Sequence, residues 1–95
     1  MDANNSDAFY KKLKDQLADT SVWPAKYMYK FIVPSLPEKV DKISKIFDGL
    51  GAIIENKVSS KGTYTSISIR VTMSSPEAVI DKYKEVGEIE GVISL

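Results

Sequence analysis

SSKGTYTSISIRVTMSSPEAVIDKYKEVGEIEGVISL, from Ser59 to Leu95, is the stretch whose reading decides the fold. Ser60-Lys61-Gly62 marks a short hairpin loop, with Gly62 suited to a left-handed position. Behind it, Thr63 to Met73 alternates with period two. Ile67, Ile69, Val71 and Met73 point one way, and Ser66, Ser68, Arg70 and Thr72 the other, as in a strand with one buried face. Ser74-Ser75-Pro76-Glu77 opens a helix that buries Val79, Ile80, Tyr83 and Val86. Gly87 ends it, and Glu88 to Leu95 is expected as a closing strand.

The upstream chain repeats this plan. KYMYKFIV, Lys26 to Val33, is aromatic and β-branched and predicts a first strand that Pro34 ends. Ser35-Leu36-Pro37-Glu38 has the spacing of a capping box, and Val40, Ile43, Ile46 and Phe47 form the core stripe of the helix behind it. Gly49 and Gly51 allow a left-handed exit into a weaker second strand, Ala52 to Ser59. Ser-x-Pro-Glu-x-Val thus occurs at Ser35 and again at Ser74, each time between a strand and a helix. Two such halves joined by the hairpin predict an α+β, ferredoxin-like βαββαβ sandwich: a four-stranded antiparallel sheet with both helices on one face. Pure repetition would set Lys30 in the place of buried Ile69. A one-residue slip is therefore expected, with Tyr29, Phe31 and Val33 inward and Lys30 and Ile32 on the open face.

In front of this domain, residues 22–95, lies a polar start and an amphipathic segment, residues 1–21. Ser6 reads as its N-cap, and Phe9, Leu13 and Leu17 at i, i+4 and i+8 as its apolar row. Trp23-Pro24 bridges to the first strand, with the tryptophan as an anchor on the core. Because two helices already fill one face of the sheet and the other is polar, this helix is expected to dock at a sheet margin or across a subunit boundary. Phe9, Leu13 and Leu17 are its docking or dimer face, and a homodimer is slightly favoured.

Composition narrows function by exclusion. The 95 residues contain no cysteine and no histidine, which removes thiol nucleophiles, disulfides, the usual zinc sites and the commonest general base. Thirteen basic residues balance thirteen acidic ones, and Arg70 is the single arginine, so net charge gives no reason to expect nucleic acid. No apolar run is long enough to span a membrane, and MDANNSD is no signal peptide, so a cytoplasmic protein is expected. No cofactor is implied.

WPAKYMYKFIVP, SSKGTYTSISIRV and SPEAVIDKYKEV followed by GVISL, together spanning Val22 to Leu95, resemble the YbeD-like family of small bacterial proteins. That resemblance implies a fold similar to ACT regulatory domains and self-association, and supplies no catalytic residues. Pro34 stands where many ACT-like domains place a glycine at the strand-to-helix turn, which speaks against amino-acid binding of the usual ACT kind.

Three classes of function compete. For an enzyme, the best carboxylates are Glu88 and Glu90, two apart on the expected last strand; charges there more simply protect a sheet edge. For an RNA-binding module, Lys61-Gly62 matches the opening of an RNA-recognition strand, but Thr63 and Thr65 occupy the aromatic positions and Tyr64 is expected on the opposite face. The favoured reading is a non-enzymatic binding or regulatory module that contacts a protein or small molecule. Its candidate face is Lys30, Ser66, Ser68, Arg70 and Thr72 on the open side of the sheet.

Overall fold

The computed structural model describes residues 3–95, with side chains from Ala8 onward. Met1 and Asp2, part of the polar start, lie outside the described residues. The elements run α1 (Ala3–Thr20), β1 (Ala25–Pro34), α2 (Pro37–Ile46), β2 (Ile53–Val58), β3 (Tyr64–Met73), α3 (Pro76–Gly87) and β4 (Ile93–Ser94). The four strands form one antiparallel sheet in the order β2-β3-β1-β4. This α+β architecture is compatible with a ferredoxin-like fold.

The centre of the sheet is the pairing of β1 with β3, ten residues each, from Ala25 opposite Met73 to Pro34 opposite Tyr64. Tyr29 lies opposite Ile69 and Phe31 opposite Ile67, so the expected slip is present. Tyr29, Phe31, Val33, Ile67 and Ile69 are fully buried beneath Ile43 and Phe47 of the α2 segment and Val79, Tyr83 and Val86 of α3. Period-two burial on the strands and helical spacing on α2 and α3 thus meet in one core.

The helix starts differ from the sequence expectation. α2 begins after Leu36, which makes no side-chain cap. The Ser35 hydroxyl instead hydrogen-bonds the Thr65 hydroxyl at 2.8 Å, a partner 30 residues away that a local capping rule does not contain. In α3 the cap is Ser75, whose Oγ accepts from the Ala78 N–H at 3.1 Å, and not Ser74. Ser6 lies inside α1, since that helix already runs from Ala3.

β4 is also shorter than Glu88 to Leu95. The Glu88 and Ile89 N–H groups bond to the Glu85 and Val86 carbonyls, so the chain leaves α3 in a helical turn before it can extend. It then reverses at Gly91, where φ is +85°, and reaches β1 only through Ile93–Ser94 and the Leu95 N–H bond to the Lys30 carbonyl.

Two glycines give a paired stability test. Gly62 has φ +74°, and a Cβ added to it would have no neighbour within 4 Å, so its substitution meets backbone strain alone. A Cβ at Gly91 would lie 3.1 Å from Pro34 Cγ as well. Gly62→Ala is expected to cost about 1 kcal/mol, and Gly91→Ala clearly more, in urea unfolding. Equal costs would mean that the Pro34 ring gives way freely.

The placement of α1 corrects the expected docking. It packs against α3. The row it turns inward is Tyr10, Leu13 and Leu17, all partly buried, while Phe9 is 59% exposed. Tyr10 stacks on Tyr83 with ring centroids 6.4 Å apart, and the Lys84 ammonium sits 5.8 Å from the Tyr10 ring centroid. The tyrosine supplies an aromatic docking partner that Phe9, one residue earlier, is not positioned to reach. Trp23 acts as the expected anchor: it packs on the core and its indole N–H donates to the Leu17 carbonyl at 3.1 Å.

Candidate functional site

Five residues singled out on the open side of the sheet are brought together there. Lys30 lies opposite Ser68, Ile32 opposite Ser66, and Arg70 and Thr72 follow on the same side of β3. Neighbouring strands add residues that the sequence reading did not assign to this face. Met28 and Ile53 flank Arg70 on its two sides, Glu55 lies beyond Ser68, Lys57 beyond Ser66, and Ile93 beyond Ile32. Lys26, opposite Thr72, completes the row of cations.

The face is therefore neither purely polar nor neutral. Lys26, Lys30, Lys57 and Arg70 stand against one carboxylate, Glu55, on a protein whose formal net charge is zero. Among the described residues these cations form no ion pairs; Lys45–Asp41 and Lys82–Glu85 lie on the helices. Met28, Ile53 and Ile93 are 56%, 61% and 54% exposed between them. The signal for Met28 was the same alternation that placed Lys30. That for Ile53 required the phase of β2, which the doublet Ile53-Ile54 leaves ambiguous.

Tyr64 belongs to this face too, which corrects the expectation that it points away. It shares the parity of Ser66 and Ser68 and is 46% exposed, whereas Thr65 is buried with its hydroxyl bound to Ser35. The strand phase is set by the core residues Ile67 and Ile69, so the hydroxyl of Thr65 is drawn inward and the tyrosine outward.

Glu88 and Glu90 do not share a strand face, because neither lies in a strand. They border a cleft of about 620 Å³ between α2 and the end of α3, together with Glu38, Glu85 and lysines 39, 42 and 45. Some of its polar groups are held by neighbours: the Lys39 ammonium donates to the Glu90 carbonyl, and Glu85 pairs at 3.0 Å with Lys82, which also donates to the Ile46 carbonyl at 2.8 Å. Among the described residues no group of acidic side chains is arranged to hold a metal ion.

The titratable groups with displaced pKa values are structural. Burial, then the neighbouring Tyr27 and Glu85, pushes the Tyr29 phenol above its ordinary range; burial, then the hydrogen bond with Tyr27, does the same for Tyr83. Both are in the core, with Tyr29 donating to the Val79 carbonyl at 3.0 Å and Tyr83 sharing a 2.7 Å bond with Tyr27. Raised phenols of this kind hold their protons and offer no base.

Comparison with known proteins places the chain. The family model described as "Protein of unknown function (DUF493)" matches residues 19–95. The chain belongs to this family. A "UPF0250 protein" of Vibrio vulnificus is 40% identical over 89 residues, covering 90% of this chain and 89% of the relative. Another from Shewanella piezotolerans is 34% identical over 74% of this chain and 83% of its own length. One from an Enterobacter strain is 33% identical over 82% and 93%. These matches bear out the resemblance to the YbeD-like proteins, and the family's description names no reaction or ligand. No described helix is long and apolar enough to cross a membrane.

Proposed function

We propose that this member of the DUF493 family is a non-enzymatic binding module of the cytoplasm that engages a protein partner through its open sheet face. The observation that carries this is the charge-segregated, apolar-bearing surface around Lys30 and Arg70: four cations against Glu55, with Met28, Ile53 and Ile93 exposed among them. The chemistry it suits is an acidic polypeptide segment with apolar side chains. Cations there attract and orient the segment, and the apolar contacts hold it. The strand order, with α2 and α3 each crossing between strands over the same face, supports reading the fold as ferredoxin-like, with α1 as an addition to the helical layer. Both helices then support the sheet from behind and leave the opposite face for binding.

A second reading, RNA binding, is favoured by Tyr64 on the same face as the cations. One aromatic at a corner is a small stacking platform, which ranks it below the protein reading. Comparing the full-length protein with Lys30→Glu/Arg70→Glu separates the two. A partner cross-linked from native extract to Met28- and Ile53-bearing peptides of the wild type, and lost in the double variant, is the expected result. Equal capture by both would sink the open-face reading. Saturable micromolar binding of labelled single-stranded RNA, weakened by salt and abolished in Arg70→Ala, would favour the second reading instead.

A further inference from the structure

β2 is the last strand at one side of the sheet, and two hydrogen bonds determine which of its peptide groups face outward. The Ser59 N–H donates to the Tyr64 carbonyl at 2.8 Å across the hairpin. In an antiparallel ladder bonded pairs recur at every second residue. With Val58 opposite Thr65 and Ile53 opposite Arg70, residues Lys57, Glu55 and Ile53 therefore bond to β3, and Ile54, Asn56 and Val58 turn their N–H and C=O groups away from it. The Ser35 N–H bond to the Thr63 carbonyl, 3.0 Å, gives the same phase independently: odd residues of β3 bond to β1 and even ones to β2. A strand edge with free peptide groups is a template for another strand. This one has no proline, and its register against β3 has no bulge.

We propose that β2 pairs antiparallel with β2 of a second copy of this chain, across a two-fold axis at Asn56, to give a continuous eight-stranded sheet. The occupant is a second copy because the strand complements itself in one register. The outward groups allow only ladders in which even-numbered residues bond even-numbered residues. Centred on Asn56, Ile54 meets the partner's Val58 and Asn56 meets the partner's Asn56 through the backbone. Glu55 then faces the partner's Lys57, twice, in the non-bonded pairs where side chains approach most closely. Centring the ladder on Glu55 or on Lys57 sets like charges opposite each other. Centring it on Ile54 or Val58 leaves half or more of the strand without a strand partner. Val58, 59% exposed in the single chain, is covered by the partner's Ile54 in the favoured register. The interface is isologous and closes at two copies. It does not depend on the open-face reading, because Lys30→Glu/Arg70→Glu leaves this edge intact.

Sedimentation of the full chain over a concentration series tests it. The wild type is expected to dimerise, and Glu55→Lys or Lys57→Glu alone to weaken the dimer about tenfold or more. An equimolar mixture of the two variants is expected to associate again, since every facing pair is then a lysine with a glutamate. The chain has no cysteine, so Asn56→Cys adds a single thiol at the axis. Bonded pairs hold Cα atoms about 5.5 Å apart, within disulfide reach, so mild oxidation should give a covalent dimer that Thr72→Cys does not give. A wild type monomeric up to ~1 mM, or a dimer indifferent to both charge reversals, overturns the proposal. So does a mixture that stays monomeric while circular dichroism shows both variants folded.

Discussion

Replacing Tyr83 with alanine is expected to lower stability by about 3–5 kcal/mol, a large part of the roughly 5–15 kcal/mol that a small domain has in total. Tyr83 is the side chain on which three elements converge. Its ring lies against Tyr29, Tyr27 and Phe31 of β1 at centroid distances of 4.8, 6.1 and 6.0 Å, and Tyr10 of α1 stacks on its other side. Removing it opens a cavity between α3 and the sheet and strips α1 of its aromatic seat. Tyr83→Phe keeps the ring and loses only the bond to the Tyr27 hydroxyl, a change of about 0.5–1.5 kcal/mol. Urea unfolding followed by the fluorescence of Trp23, the single tryptophan, reads both, because that indole is tied to the end of α1. A loss of about 1 kcal/mol or less in Tyr83→Ala would show that α1 and β1 hold together without this ring.

What could be read from the chain alone divides along a physical line. Features set by local period or backbone geometry were legible: the inward set Ile67, Ile69, Val71 and Met73, the slip that buries Tyr29 and Phe31, and the positive φ of Gly62. Features set by a distant partner were not. Ser35 looks like a cap until Thr65 appears beside it. The helical turn at Glu88 and Ile89 competes with the extended geometry that Val92 and Ile93 favour, and only the closure of α3 decides how little of β4 remains. Phe9 and Tyr10 fit a helical stripe equally well, and the choice between them belongs to Tyr83, 73 residues from Tyr10. The candidate site shows the same split. Lys30, Ser66, Ser68, Arg70 and Thr72 followed from alternation, whereas Ile53, Lys57 and Ile93 needed the pairing of β2 and β4.

Alkaline conditions should unfold the protein through the same aromatic cluster. The Tyr29 and Tyr83 phenols, held protonated by burial, keep their protons to higher pH in the folded chain than in the unfolded one. Their contribution to stability is therefore complete below the unfolded tyrosine value of about 10 and is lost as pH rises from there toward the folded values. Each group costs about 1.4 kcal/mol per pH unit over that range, so the domain is expected to be about 4 kcal/mol less stable at about pH 11.5 than at about pH 9. The unfolded chain releases both protons freely, whereas the folded chain would have to place a phenolate beside the Val79 carbonyl or against the hydroxyl of Tyr27. Tyr83→Phe removes one of the two titrations, and the loss over the same pH interval should fall to about 2 kcal/mol, even though the variant starts from a lower stability at neutral pH. Urea midpoints across this range, for both proteins, measure the two slopes. Equal slopes would assign the alkaline transition to groups outside the cluster, and a wild-type midpoint unchanged up to about pH 11.5 would mean that the buried phenols ionise in place.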